Sequence, residues 1–208
     1  MNISKLLLID AVLAIAATPL IFLINGKHKT YNHFRSTNKE ALLEKRVINL
    51  PNKKELLDLD KLARSEGRGI DLESLFGDWN FVSIWKKDAE DEDYFFSSLL
   101  RVFSAKLQLK KEIPHHNQPG FIISVLIQFG LFSIKFSGSG YLKGKQPSIV
   151  YFFNLIEFKS GSSVLLRRLI KEPKENEKPF FALIATDECE GWLSARGPGD
   201  SLIVWLKD

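Results

Sequence analysis

FIISVLIQFGLFSIKF, residues 121–136, is the stretch on which the fold turns. Its first nine residues are rich in isoleucine, valine and phenylalanine, the β-branched and aromatic types that suit a pleated, buried surface. Gly130 breaks the run. Phe132, Ile134 and Phe136 then alternate with Ser133 and Lys135, the period of a strand with one face buried. Two apolar strands joined at a glycine read as an antiparallel pair.

The same grammar extends in both directions. Upstream, Ala105, Leu107 and Leu109 alternate with Lys106, Gln108 and Lys110 over residues 105–112, which predicts another half-buried strand. Downstream, Gly138-Ser139-Gly140 and Lys143-Gly144-Lys145 punctuate a turn region. Apolar runs follow at 149–158, 164–170, 180–186, 192–196 and 202–206, with Gly161, Pro173, Gly191 and Gly197-Pro198-Gly199-Asp200 between them. Gly77-Asp78-Trp79 opens a first strand that reaches Trp85, and Asp71 is placed to cap a short helix through Leu75.

One longer helix is expected early. Phe95, Phe96, Leu99, Leu100 and Phe103 recur at spacings of three and four. Asp88, Glu90, Asp91, Glu92 and Asp93 precede it, where negative charge suits the positive end of the helix dipole. They lack the ordered oxygen spacing of a calcium loop. Many short strands with turn residues between them, and no strand–helix alternation, predict a mainly β antiparallel barrel over residues 70–208. The 16 phenylalanines of the 208-residue chain call for a deep core.

The N-terminal third differs. Residues 6–24 are almost wholly apolar, broken by Asp10, Thr18 and Pro19, and match the length of a membrane-spanning helix. Ala14-Ile15-Ala16 offers a cleavage site for the rival reading, a signal peptide, but the apolar run continues beyond it. Only Lys5 precedes the run, whereas Lys27, Lys29 and Arg35 follow it. A single-pass anchor therefore leaves the main domain on the cytoplasmic or stromal side. Residues 1–26 read as anchor and 27–69 as a charged linker. That linker has helical stretches at 39–47 and 53–64, the second open to lying against the domain or the membrane surface, and the plainer reading is a solvated spacer. The net charge of +4 resides mainly there.

Chemistry finds little purchase. The chain has no Gly-x-Ser-x-Gly elbow, no phosphate-cradling glycine loop and no His-Glu-x-x-His. His115 and His116 are adjacent and point apart in an extended loop, so no metal site is expected. Cys189 is the single cysteine, and its acidic surroundings (Asp187, Glu188, Glu190) disfavour a nucleophilic thiolate. Basic and aromatic residues interleave near Arg167-Arg168 and Lys143–Lys145. Phe152-Phe153, Phe180-Phe181 and Trp205 sit in apolar runs and read as core, so nucleic acid is not an expected partner. A catalytic role and a cofactor are not expected.

Gly77-Asp78-Trp79 resembles the Gly-x-Trp entrance of lipocalin-like barrels. Trp192-Leu193-Ser194-Ala195-Arg196-Gly197, followed by Leu202-Ile203-Val204-Trp205-Leu206, is similar to the closing strands of the plastid lipid-associated (fibrillin) family. The aspartate and further arginine that usually stand upstream of the arginine-glycine pair are absent here. The resemblance implies a lipocalin-like fold and a lipid, quinone or carotenoid guest at a photosynthetic membrane such as the thylakoid. Lining candidates for such a guest are Phe81, Phe132, Phe136, Tyr151, Phe153 and Phe181. Gly77, Trp79, Arg196 and Gly197 are the closure candidates, with the Arg196 guanidinium expected on the Trp79 ring. The alternative is an assembly factor that contacts a membrane protein complex through the barrel exterior.

Overall fold

The computed structural model describes residues 49–67, 70–111 and 120–208. The expected anchor at 6–24, the helix at 39–47 and the His115-His116 loop lie outside them. Among the described residues no helix is long and apolar enough to cross a membrane.

Nine antiparallel strands form one sheet. They are β1 (Gly77–Trp85), β2 (Lys106–Lys111), β3 (Phe121–Phe129), β4 (Phe132–Lys143), β5 (Ser148–Ser160), β6 (Ser163–Leu169), β7 (Phe180–Asp187), β8 (Trp192–Arg196) and β9 (Leu202–Lys207). β1 to β5 each pair with the next. β7, β8 and β9 continue the ladder, and β9 returns to β1. Because β5 pairs with both β4 and β7, eight strands close into a hydrogen-bonded ring. The ninth, β6, stands outside it. Only Ser148–Val150 of β5 pair with β7, while Leu155–Ser160 pair with β6.

Gly138 and Gly140, read from sequence as turn residues, lie inside the twelve-residue β4 instead. Their role is close approach. A Cβ on Gly138 would sit 1.8 Å from the Phe152 carbonyl oxygen, at the point where the β4–β5 register shifts. On Gly140 it would meet the Phe121 ring at 2.8 Å. Glycine lets the two backbones and a core ring share this space. The reversal itself comes at Gly144, where φ is +90°.

The ring interior is filled from all sides by Trp79, Leu107, Leu109, Phe121, Ile123, Ile149, Tyr151, Leu183, Leu193, Ala195 and Trp205, each fully or nearly buried. Burying a large apolar side chain of this kind contributes roughly 1.5–3 kcal/mol. One end is plugged by α2 (Leu72–Leu75), capped by Asp71 as expected, whose Leu75 joins this core.

A second core lies on the outside of β7, β8 and β9, and its cover is the second of the helices expected in the linker. Helix α1 (Lys53–Glu66), within the presumed spacer, lays Leu56 against Ile184, Ala185, Trp192, Leu202 and Val204. The compact unit accordingly starts at Asn49 rather than Ile70. Asn52 and Glu55 form a reciprocal capping box at the start of α1. Its buried stripe is Leu56, Asp60 and Ala63, one helical face with a carboxylate in its middle. Covered on both faces, β8 is buried at four of its five residues.

The expected early helix is α3 (Tyr94–Val102), capped by Asp93, which accepts the Phe96 N–H. Burial there would raise the Asp93 pKa, but the Lys86 ammonium and the Phe96 N–H together hold it below the usual aspartate range. Ser97 is the buried point of contact, accepting the Ile84 N–H of β1. Phe95, read as part of the apolar stripe, faces solvent with Tyr94 and Val102.

Candidate functional site

Five of the six lining candidates gather in the ring. Phe136 and Tyr151 are buried, and Phe81, Phe153 and Phe181 pack against the main core. Tyr151 stacks on Phe181 with centroids 5.0 Å apart and touches Phe153 at 5.3 Å. Phe136 meets Phe153 at 5.7 Å, and Phe181 meets Trp205 edge-on at 5.8 Å. Burial pushes the Tyr151 phenol well above its usual range, so it stays neutral in this apolar setting. These rings fill space against one another. Only Phe132 departs from the group, lying 41 % exposed at the far end of β4.

Phe132 belongs to a second aromatic chain. Phe103 touches Phe129 at 5.8 Å, Phe129 stacks on Phe132 at 5.8 Å, and Phe132 stacks on Phe158 at 5.6 Å. Register places them on the inward side. Phe129 pairs with Phe132 and Phe158 with Ile134, while Phe136 of the same β4 face pairs with Val125, which in turn pairs with the core residue Leu107. Phe158 then pairs with Leu166 of β6. The apolar inner face of the ring therefore continues beyond its closed part. It runs onto a shelf built from the ends of β3, β4 and β5 and from β6.

This shelf is the least covered apolar surface of the sheet. All seven residues of β6 are exposed, among them Val164, Leu165, Leu166 and Leu169. Leu131, in the turn before Phe132, is 77 % exposed. On the opposite side of the shelf Glu157 lies under Arg167, whose guanidinium donates two bonds to one carboxylate oxygen, and Lys159. The Arg167 bonds, with help from Lys159, hold Glu157 below the usual glutamate range.

The closure candidates divide. Gly77 enters β1 with φ of +141°, a conformation that favours glycine. Trp79 is buried beside the last strand, pairing with Lys207, and donates its indole N–H to the Leu75 carbonyl at 2.8 Å. The cation over its ring is Lys207, at 5.1 Å, and not Arg196. Arg196 pairs with Leu202, at the opposite end of β9 from Lys207. Five residues of strand separate them, about 17 Å at the usual rise. Arg196 instead reaches outward to Asp60 of α1 at 3.1 Å and to Asp200 at 3.6 Å. Gly197 ends β8, its N–H donating to the Ser201 carbonyl across the turn at 198–200.

At the plugged end a pocket of about 410 Å³ is lined by Asp71, Glu73, Ser74, Trp79, Thr186, Asp187, Glu188, Gly191 and Lys207. None of the six lining candidates borders it. Three of its four carboxylates have structural work. Asp71 caps α2, Asp187 accepts the N–H groups of Cys189 and Glu190, and Glu73 pairs with Lys111. Among the described residues no cluster of three or more histidine, cysteine or carboxylate side chains could hold a metal ion.

No family model, curated protein or solved structure matches this chain. The sequence pointed to Phe132 but missed its partners Phe129, Phe158 and Leu166. In an apolar run nothing marks which residues pass beyond the closed part of a ring.

Proposed function

We propose that the chain is a membrane-anchored, non-catalytic binding protein whose lipocalin-like barrel holds a hydrophobic small molecule against the shelf. The carrying observation is the aromatic chain Phe103–Phe129–Phe132–Phe158, which continues the core onto a face left half open. An elongated apolar guest can lie along such a face and bury both surfaces. The closed part of the ring is a poorer host, because a guest there must displace packed rings. The fibrillin-like closing strands supply the class of guest, a lipid, quinone or carotenoid. The apolar run at 6–24 supplies the tether that keeps the barrel at its source.

A different class of function draws on α3. Tyr94, Phe95 and Val102 are exposed there on one short helix, a surface suited to a protein partner in a membrane complex. Native mass spectrometry of the full chain, released from detergent, separates the two. Guest binding predicts a discrete apolar adduct that is lost in Phe158→Lys. A bare chain that retains membrane subunits refutes guest binding and favours the assembly role.

A further inference from the structure

The shelf ends in two turns lying side by side, where the Gly161 N–H donates to the Leu131 carbonyl at 2.7 Å. Around this tip the exposed apolar residues are Leu131, Phe132, Val164, Leu165 and Leu166. They protrude from turns and from an edge strand rather than lining a groove. Bare edge strands with apolar side chains are an aggregation hazard that folded proteins normally blunt or cover. Something is expected to cover this one.

Charge identifies what. Lys135, Lys159, Arg167 and Arg168 lie on the strands of the shelf, against the single acid Glu157 within those strands. Glu157 is itself engaged by Arg167 at 2.7 Å and Lys159 at 3.3 Å. The tip thus combines protruding apolar side chains with a strong local excess of positive charge. That pairing fits an anionic lipid surface, where apolar groups enter the acyl boundary and basic groups meet headgroups. An extended acidic segment pairing with β6 would use the cations but leave Leu131 and Phe132 bare.

We infer that the shelf tip seats on an anionic bilayer surface, with Leu131 and Phe132 entering the lipid and Lys135 and Arg168 on the headgroups. This goes beyond guest binding and requires no guest. It fixes how the barrel lies on the membrane, with the tip down and the plugged end away. Gly77, at the plugged end, registers through Leu109 with Ile123, and Leu131 lies eight residues farther along the chain.

Spin labelling of the full chain in nanodiscs tests it. A nitroxide on Leu131→Cys, in a Cys189→Ser background, is compared with one on the native Cys189, which is exposed near the plugged end. In discs of phosphatidylcholine with phosphatidylserine, the label at 131 should show oxygen-to-nickel accessibility several-fold above that at 189. In phosphatidylcholine alone, or with Lys135→Glu and Arg168→Glu, it should fall to the water-exposed value. A water-like label in both lipids overturns the inference. So does a lipid-like label indifferent to both charge changes, or strong dipolar coupling between labelled copies, which would mean that two tips pair. Adduct loss in mass spectrometry leaves all these readouts untouched, so the two proposals fail separately.

Discussion

Replacing Asp60 by alanine is the perturbation whose cost follows most directly from the structure. Asp60 sits in the middle of the buried face of α1, with its side chain 6 % exposed. One oxygen accepts from Arg196 at 3.1 Å and from Gln146 at 3.4 Å, and the other accepts from Arg64 at 3.0 Å. The carboxylate thus ties α1 to β8 and to the β4–β5 turn. Removing it leaves the Arg196 guanidinium, 13 % exposed, with the longer contact to Asp200 as its remaining ion pair among the described residues. Its Nε already lacks a partner. Breaking a buried pair from one side costs about 3–5 kcal/mol. For a unit of this size that corresponds to a fall in Tm of about 6–20 °C. Arg64 is half exposed, so its share is small. The double change Asp60→Leu with Arg196→Met removes both charges and should recover most of the loss, since an apolar pair of similar volume is often neutral. Thermal denaturation followed by circular dichroism reads both effects. A loss below about 1 kcal/mol in Asp60→Ala, or a double variant worse than the single, would refute the reasoning.

Four further outcomes follow from the local geometry. Gly138→Ala should destabilise by more than about 4 kcal/mol, because its Cβ collides with the Phe152 backbone. Gly161→Ala, with open space and φ of +55°, should cost only about 1–2 kcal/mol in the same denaturant titration. Trp79→Phe removes the donor to the buried Leu75 carbonyl and should lower stability by about 1–3 kcal/mol in chemical unfolding, with α2 amides exchanging faster. Glu157 has a folded pKa below its ordinary value of 4.5, so its contribution is present above that value and is lost as pH falls through the lower folded one. In Glu157→Gln the acid limb of Tm against pH should therefore be shallower than in the parent chain, and an unchanged slope would count against the Arg167 pairing.

The antiparallel strands were legible in the sequence because alternation and turn residues mark them locally. Residues 121–129 and 192–196 appear as β3 and β8 with the expected bounds. Asp71 and Asp93 cap their helices for the same local reason. What failed depended on distant partners. Gly138 and Gly140 resemble turn residues until Phe152 and Phe121 are brought beside them. Phe180, read as core, is exposed because it alternates along β7 with the inward-facing Phe181 and points to the other side of the sheet. The buried stripe of α1 escaped hydrophobic pattern matching because a carboxylate occupies its centre. Arg196 was expected on the Trp79 ring, but its partner Asp60 stands 136 residues earlier.

A high-resolution structure of the full chain, purified with its native membrane lipids, is the most direct test of the binding proposal. The account predicts elongated apolar density lying across Phe129, Phe132, Phe158 and Leu166. A shelf that is bare, or covered by residues of this chain itself, would contradict it.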